Sequence, residues 1–477
     1  RGQEKQSFKV FMKEHGKAIA EKLGAEAPAR TFYHKVKSLY WKLKGVEPII
    51  SVERLQQITD MQIDHVNELD FPKVNVLFCG SVPQEAGAFF NELTQINGDL
   101  NFIFVAAGFI KVPTWFNFPC IAGPGSFSFW GIEGQDIKIK VPEKIRTAVR
   151  GKPYLFDLVQ RRVLRGYSES VSTVLAYEAE RYFAALLEKI NPKLVMVWNN
   201  WGNNSTVLSE LAKQRAVPVI SVERGFLEGT MMLSANGYGY DFVNAEPQKF
   251  RSLPIGSEEI AKANEIIGFL RDTGFNRYSQ PRNSVLQQLK QRLDNGKPNI
   301  LLVGAFDCEN PAFPQRDMYA PTFALSKEAV SYIAKLAKRD RWNLIYKEHP
   351  LMDKVISQKL KDKIPSSVFC VRDVNVNDLI DIADVVVCMI SGVSYIALTR
   401  DKPLVQLGYT PLKGKGCCYE PVDVDDIEAK IKEALRYGYT PEQKSAFVKH
   451  VAQVNKYYYF DDLAAIAGVR GISLREA

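Results

Sequence analysis

Residues 384–408 constrain the fold more than any other stretch. Asp384-Val-Val-Val-Cys-Met-Ile-Ser-Gly-Val-Ser-Tyr-Ile-Ala-Leu-Thr-Arg-Asp-Lys-Pro-Leu-Val-Gln-Leu-Gly408 opens on an apolar run and breaks at Ser391-Gly392. Helical apolar spacing then continues from Val393 to Arg400. A short unbroken apolar run reads as a parallel strand covered on both faces. A strand that passes through Ser-Gly into a helix leaves backbone N–H groups and a hydroxyl at a helix start, which suits an anion. Asn343-Leu-Ile-Tyr-Lys-Glu-His-Pro350 opens in the same way and ends at Lys347, His349 and Pro350. Pro350 has no N–H to donate and stops the ladder. Lys347 and His349 then supply charge and proton donors at the carboxyl end of the same sheet, where open α/β sheets bind ligands. The expectation is a phosphate-bearing ligand.

The rest of the chain supports a parallel α/β architecture. Strands are expected at Lys73–Gly80, Leu100–Ala106, from Leu194, and at Pro218–Gly225, with helices over Gln84–Ile96, Ser168–Lys189 and up to Arg215. Thr114–Trp130, rich in aromatics, Gly and Pro, reads as a structured loop. Residues 250–297 read as polar helices forming a passage between domains. A second series follows, with strands from Asn299, Trp342, Val368, Asp384 and near Leu404, and helices over Lys327–Lys338 and Asp425–Arg436. The last forty residues read as a helix and tail. Alternating strands and helices predict Rossmann-like sheets. Two of them with a cleft between are the layout of a GT-B glycosyltransferase. The expected division is a basic N-terminal segment over 1–50, a Rossmann-like acceptor domain over 51–270, the passage over 271–297, a donor domain over 298–440 and a C-terminal helix and tail over 441–477.

Composition excludes several classes. The chain has 477 residues and a net charge of +8. That charge modestly favours anionic partners and falls short of a nucleic-acid-binding composition. Its seven cysteines are scattered, several in apolar strands, which suits a reducing compartment. No apolar run reaches the ~18 to 20 residues that span a bilayer, so a cytoplasmic protein is expected, peripheral on a membrane at most. Residues 1–50 carry eleven Lys or Arg against five Asp or Glu, with aromatics between Thr31 and Lys44. This is either an interfacial helix on anionic lipid or a solvated basic helix packed on the body. Neither G-x-G-x-x-G nor G-x-x-x-x-G-K-[ST] occurs, which argues against an NAD enzyme or a P-loop NTPase. No D-x-D stands in a metal-binding setting, because Asp423-Val-Asp425 reads as helix capping. No metal and no cofactor are expected.

Glu223, Asp307 and His349 stand at strand ends, where chemistry is usually placed. Glu223 and Asp307 come from different halves and make a carboxylate pair of the kind glycosyl chemistry uses. Each also suits a plain role, as a helix cap or a solvated loop residue. Asn199 and Asn200 at a strand tip are candidates for sugar contact as well as turn formers.

In their order and spacing these motifs resemble the bacterial capsule polysaccharide synthesis family, the retaining β-Kdo transferases (Kdo is 3-deoxy-D-manno-oct-2-ulosonic acid). Glu223-Arg-Gly-Phe-Leu-Glu-Gly-Thr230 through Gly237 resembles its E-x-G-x-x-P-x-T-x-x-x-x-x-x-G segment. Leu301–Asp307 falls where the family has a strand followed by Q-x-E-x-D-like residues, and Lys347-Glu-His-Pro350 matches K-x-H-P. Ser391–Gly408 is similar to T-S-x-x-G-F-E-A-L-x-x-G-K-P-V-x-x-x-G, with Gly414 and Gly416 following. The departures are Ser394-Tyr-Ile for G-F-E, Glu228 for Pro, and a missing Gln near Asp307. They suggest a divergent branch, nearer the enzymes that extend or cap lipopolysaccharide O-antigens.

The resemblance implies a metal-independent transferase that moves Kdo from CMP-Kdo to a glycan or lipid-linked acceptor, with retention. Lys347, His349, Pro350, Ser391, Gly392, Ser394 and Gly408 would form the donor site. Glu223 would be the acid/base, and Asp307 the nucleophile, with Glu309 as its rival. Asn199, Asn200, Gly225, Thr230 and Glu309 would face acceptor or sugar. The competing expectations are a GT-B enzyme using CMP-sialic acid and a non-catalytic glycan-binding scaffold.

Overall fold

The computed structural model describes residues 51–71, 76–80, 101–106, 120–123, 138–164, 168–198, 204–227, 229–234, 247–275, 285–305, 323, 326–350, 364–408 and 410–461. In chain order these form α1 (Val52–Glu68), β1 (Val76–Gly80), β2 (Phe102–Ala106), β3 (Cys120–Ala122), α2 (Glu143–Arg150), α3 (Pro153–Leu164), α4 (Glu169–Ile190), β4 (Leu194–Trp198), α5 (Asn204–Gln214), β5 (Val219–Arg224) and β6 (Thr230–Ser234). Then come α6 (Pro247–Ser252), α7 (Ser257–Thr273), α8 (Val285–Arg292), β7 (Asn299–Val303), α9 (Ser326–Asp340), β8 (Asn343–Lys347), β9 (Val368–Val371), α10 (Val376–Ile382), β10 (Val385–Cys388), α11 (Val393–Thr399), β11 (Leu404–Gln406), α12 (Ile427–Tyr437), α13 (Pro441–Tyr457) and β12 (Tyr459–Asp461).

The described residues fall into two compact units. One lies within Arg1–Asp70 and Ala122–Lys189, the other within Phe71–Ala106, Ile110–Ile121 and Ile190–Ala477. The first holds α1 to α4. There Arg181 binds both Asp60 and Glu178 at 2.7 Å, and Lys189 donates to the Asn67 carbonyl at 2.8 Å.

The second unit carries two sheets, and the fold is the α/β, GT-B-like one that the alternation of elements predicts. The seven-stranded sheet runs β12-β6-β5-β4-β1-β2-β3 and the five-stranded sheet β11-β10-β7-β8-β9. Every neighbour pair of the smaller sheet is parallel. Its alternate residues serve opposite cores, which is the period of two of a strand. Leu301, Val303, Ile345, Val386 and Cys388 face one cluster with residues of α7, α10, α11 and α13. Ile300, Leu302, Leu344, Tyr346, Val385 and Val387 face another with α9 and α12. Burial on both sides is why these strands are uninterrupted apolar runs; each buried aliphatic side chain contributes about 1.5–3 kcal/mol.

Polar residues pin the opposite, amino end of this sheet. The Asn343 amide donates to the Asp294 carbonyl and to Asn299 Oδ1 at 2.9 and 2.8 Å. Asp384 accepts from the Asn299 N–H at 2.7 Å.

Three expectations change. The larger sheet is mixed, because β6 pairs antiparallel with both β5 and β12. The chain end is not only a helix and tail: after α13, capped by a Thr440–Gln443 box with Pro441 in its first turn, the chain adds β12 to the sheet it left before residue 247. β12 closes an edge that would otherwise show unpaired backbone groups. Within Thr114–Trp130, expected to be a loop, Cys120–Ala122 is a strand. The helix expected over Gln84–Ile96 and the basic segment 1–50 lie outside the described residues. Among the described residues no helix is long and apolar enough to cross a membrane.

Candidate functional site

At the carboxyl end of β10 the chain turns through Ser391 and Gly392 into α11. The Ser391 hydroxyl accepts the Val393 N–H at 3.2 Å, and its carbonyl accepts the Ser394 N–H at 3.1 Å. Gln406 fixes this turn from the neighbouring strand. Its amide nitrogen reaches the carbonyls of Cys388, Met389 and Gly408 at 3.2, 2.5 and 3.1 Å. Its oxygen lies 2.7 Å from the Ser394 hydroxyl. At residue 408 only glycine fits, because a Cβ there would stand 2.5 Å from the Met389 carbonyl. Ser394 is fully buried and Gly408 is buried, so both shape the turn from behind, and half-buried Ser391 and Gly392 form its rim.

Two strands away, β8 ends in the basic group. Lys347 is 3% exposed, and its ammonium donates to the carbonyls of Arg372 and Glu348 at 2.5 and 3.3 Å. Burial pushes its pKa down to about 8, with Asp373 and Glu348 opposing the shift. Burial, aided by the charges of Lys347 and Arg372, pushes His349 down to about 4, so the ring is neutral at neutral pH. Arg372, just past β9, is a residue that the sequence reading missed. Its guanidinium donates to the Pro350 carbonyl at 3.1 Å. The available signal was register, since Lys347 pairs with Val371 and places Arg372 at the same sheet edge.

Glu223 is the penultimate residue of β5 and is buried. Its Oε1 accepts the Arg224 N–H at 3.2 Å. The β5–β6 turn closes when the Gly225 N–H donates to the Thr230 carbonyl at 2.9 Å. A Cβ on residue 225 would overlap the Thr230 hydroxyl, which itself donates to the Leu227 carbonyl at 2.7 Å. Gly225 and fully buried Thr230 therefore build the hairpin that carries Glu223.

That hairpin docks on α11. The Phe226 ring stacks on Tyr395 with centroids 5.6 Å apart, and its N–H donates to the Tyr459 hydroxyl at 3.4 Å. The Tyr395 hydroxyl meets His450 Nε2 at 2.7 Å. Residues of β5–β6, β12, α11 and α13 thus share one buried aromatic network. It brings the element bearing Glu223 against the helix that follows Ser391-Gly392. Asp307, Glu309, Asn199 and Asn200 lie outside the described residues. Among the described residues no three His, Cys, Asp or Glu side chains cluster as metal ligands. Cys417 and Cys418 are buried free thiols, and burial raises the pKa of both.

The family described as "Capsule polysaccharide biosynthesis protein" matches residues 328–436. The resemblance expected from the sequence is borne out over this stretch, which holds Lys347, His349, Ser391 and Gly408. Among curated proteins nothing matches the chain. Among solved structures, the KpsC beta Kdo 2,4 transferase of Thermosulfurimonas dismutans is 15% identical, with 56% of this chain and 80% of that chain covered and a TM-score of 0.40. The beta Kdo 2,7 transferase of the same organism's KpsC is 16% identical, covering 68% and 94%, with a TM-score of 0.39. The UDP-GlcNAc 2-epimerase of Methanocaldococcus jannaschii, solved with UDP-GlcNAc and UDP, is 12% identical, covering 80% and 99%, with a TM-score of 0.36. Likenesses this distant carry nothing about activity.

Proposed function

We propose that the chain is a glycosyltransferase of bacterial capsule or lipopolysaccharide synthesis. It takes Kdo from CMP-Kdo and transfers it, with retention, to a glycan or lipid-linked acceptor at the cytoplasmic face of the inner membrane. The observation that carries this reading is the docking of Phe226 on Tyr395, which sets the Glu223 hairpin against the helix behind the Ser391-Gly392 turn. The capsule-family match over residues 328–436 supports it.

In this mechanism the Ser391 hydroxyl, which accepts the Val393 N–H and keeps its own proton to donate, holds the CMP phosphate, and His349 and Lys347 supply donors at a nearby strand end. The Asp307 carboxylate, or that of Glu309 two residues on, attacks the anomeric carbon. The bond to the phosphate oxygen breaks with its electron pair, and CMP leaves as an anion met by these groups. Glu223 then takes the proton of an acceptor hydroxyl, whose oxygen attacks the same carbon and expels the carboxylate. Two inversions give net retention. His349, held neutral, donates a hydrogen bond without adding charge.

The test supplies CMP-Kdo, generated in place, alongside CMP-sialic acid and UDP-sugars, and follows released CMP and intact protein mass. Turnover with CMP-Kdo alone, with a Kdo-sized adduct lost in Asp307→Ala, supports both donor and mechanism. Turnover with another donor, read as its own released nucleotide, discards Kdo, and no nucleotide release from any donor with a lipid-linked saccharide acceptor present overturns the transferase reading.

A further inference from the structure

Helices α1 to α4 belong to neither sheet, and the transfer mechanism uses none of them. This unit carries a strongly basic surface over residues 138–150. Lys138-Ile-Lys-Val141 leads into α2, with Lys138 and Lys140 exposed, Ile139 half-buried and Val141 buried, the alternation of an extended segment. The Ile139 N–H donates to the Ser170 hydroxyl at 3.1 Å, which ties this segment to the start of α4. Helix α2 continues the same surface at helical spacing. Ile145 and Val149 are buried four residues apart, and Lys144, Arg146 and Arg150 are exposed. Glu143 is the one acid within residues 138–150. Among the described residues the ion pairs of this unit lie elsewhere, Lys152 with Glu180 and Arg181 with Asp60 and Glu178.

Helix stability does not account for this arrangement. Arg150 suits the negative end of the helix dipole, but Lys144 stands at the positive end. Arg146 and Arg150, four residues apart, repel one another. Five basic groups held outward fit an anionic partner, and the form of the face says which kind. It is the convex outside of an extended segment and a helix, so its charges spread over a surface and do not converge on one anion. Helix α3, which packs on α2, adds Phe156, 38% exposed in its first turn. Lys and Arg beside an exposed aromatic make up a surface that seats in bilayer headgroups, whereas a soluble polyanion gives Phe156 no burial.

We propose that the face formed by Lys138, Lys140, Lys144, Arg146 and Arg150 docks the helical unit on a bilayer bearing anionic phospholipid headgroups. The attraction is worth about fivefold in affinity for each Lys or Arg near the surface. Docking needs neither donor nor acceptor, so the proposal stands or falls separately from the transferase reading.

The test sediments the full chain with phosphatidylcholine vesicles, with and without phosphatidylglycerol. It compares wild type with Lys144→Ala/Arg146→Ala/Arg150→Ala, and with Lys327→Ala/Lys335→Ala/Lys338→Ala, which removes the same charge from exposed positions of α9. Alanine suits exposed helix positions, and circular dichroism and melting check each fold. Wild type should bind only the vesicles with phosphatidylglycerol, and high salt should release it. The α2 variant should bind about a hundredfold more weakly, and the α9 variant like wild type. Equal binding by wild type and the α2 variant overturns the proposal, and so does an equal loss in both variants, which reports net charge alone. Wild type that ignores both kinds of vesicle overturns it too. If that protein instead binds dextran sulfate through the three α2 residues, the face belongs to an acidic glycan.

Discussion

Acid weakens this fold in a window set by two histidines, buried His450 and partly buried His349, and His450 isolates the effect. His450 is 1% exposed, and its ring packs against Phe250 and Tyr395. Nε2 meets the Tyr395 hydroxyl, while Nδ1 has no partner. Burial, with the nearby Lys415 charge, pushes its pKa down to about 3. The unfolded chain takes the proton near pH ~6.5, so between these values the unfolded state binds more protons and stability rises with pH. The stabilisation is fully present above about pH 6.5 and is lost as pH falls towards the folded pKa. At about pH 5 the native ring is still neutral, so the cost depends only on the unfolded value: about 1.5 pH units, or about 2 kcal/mol. His349, lowered to about 4, has the same sign and costs about the same. Wild type should therefore lose about 4 kcal/mol between about pH 8 and about pH 5 through these two groups, and His450→Gln about 2 kcal/mol. Urea unfolding followed by circular dichroism at both pH values measures the difference between the two proteins, in which transitions common to both cancel. An identical pH dependence in wild type and variant, or a fold that stabilises on acidification, refutes the reasoning.

Three further outcomes follow from the site. His349→Ala and Glu223→Gln should each lower CMP release from CMP-Kdo by ~10²- to 10⁴-fold, read in steady-state kinetics at unchanged far-ultraviolet circular dichroism; a residual rate near wild type removes either residue from the chemistry. Gln406→Leu removes the side-chain donor from the Cys388, Met389 and Gly408 carbonyls, while the Ser394 hydroxyl keeps the Ser391 carbonyl and the Cys388 carbonyl keeps the Leu407 N–H. At about 1–3 kcal/mol per unsatisfied group its melting temperature should drop by several degrees, and Ser394→Ala alone should cost less. Vesicles containing anionic lipid should co-sediment the full chain and not a chain lacking residues 1–50 if that segment is an interfacial helix; equal binding makes it a solvated one.

The five-stranded sheet was legible because helices cover both its faces. Ile300–Val303 and Val385–Cys388 carry no polar interruption, and the breaks at Pro350 and Ser391-Gly392 mark where each strand stops. The larger sheet was less legible at its edge. Thr230-Met-Met-Leu-Ser234 and Tyr459-Phe-Asp461 are too short to show a period, and their pairing is set by contacts more than two hundred residues apart. The basic group was legible as Lys-x-His-Pro, but Arg372 needed the β8–β9 register. Gly225, Thr230 and Gly408 carried a family pattern that assigned them to ligand contact, with no sign of the backbone role they have. Distances settle what they do in the fold: the space at 225 and 408 admits no Cβ.

Phe226 shows why the site requires the whole of the second unit. A carboxylate on β5 and the Ser391-Gly392 turn after β10 belong to different sheets, and each sheet has its own ladder to satisfy. Nothing in either ladder fixes one sheet to the other. The link is made by side chains: Phe226 on Tyr395, the Tyr459 hydroxyl under the Phe226 N–H, and His450 against Tyr395. Two of these four residues come from the last strand and helix of the described chain. The return of α13 and β12 to the larger sheet therefore does more than close an edge. It places a neutral imidazole and a phenol where the helix behind the Ser391-Gly392 turn meets the hairpin bearing Glu223. A proton on His450 would be buried without a compensating charge beside this joint, so one of the two histidines that make acid costly to the fold also packs where the two halves of the candidate site are linked.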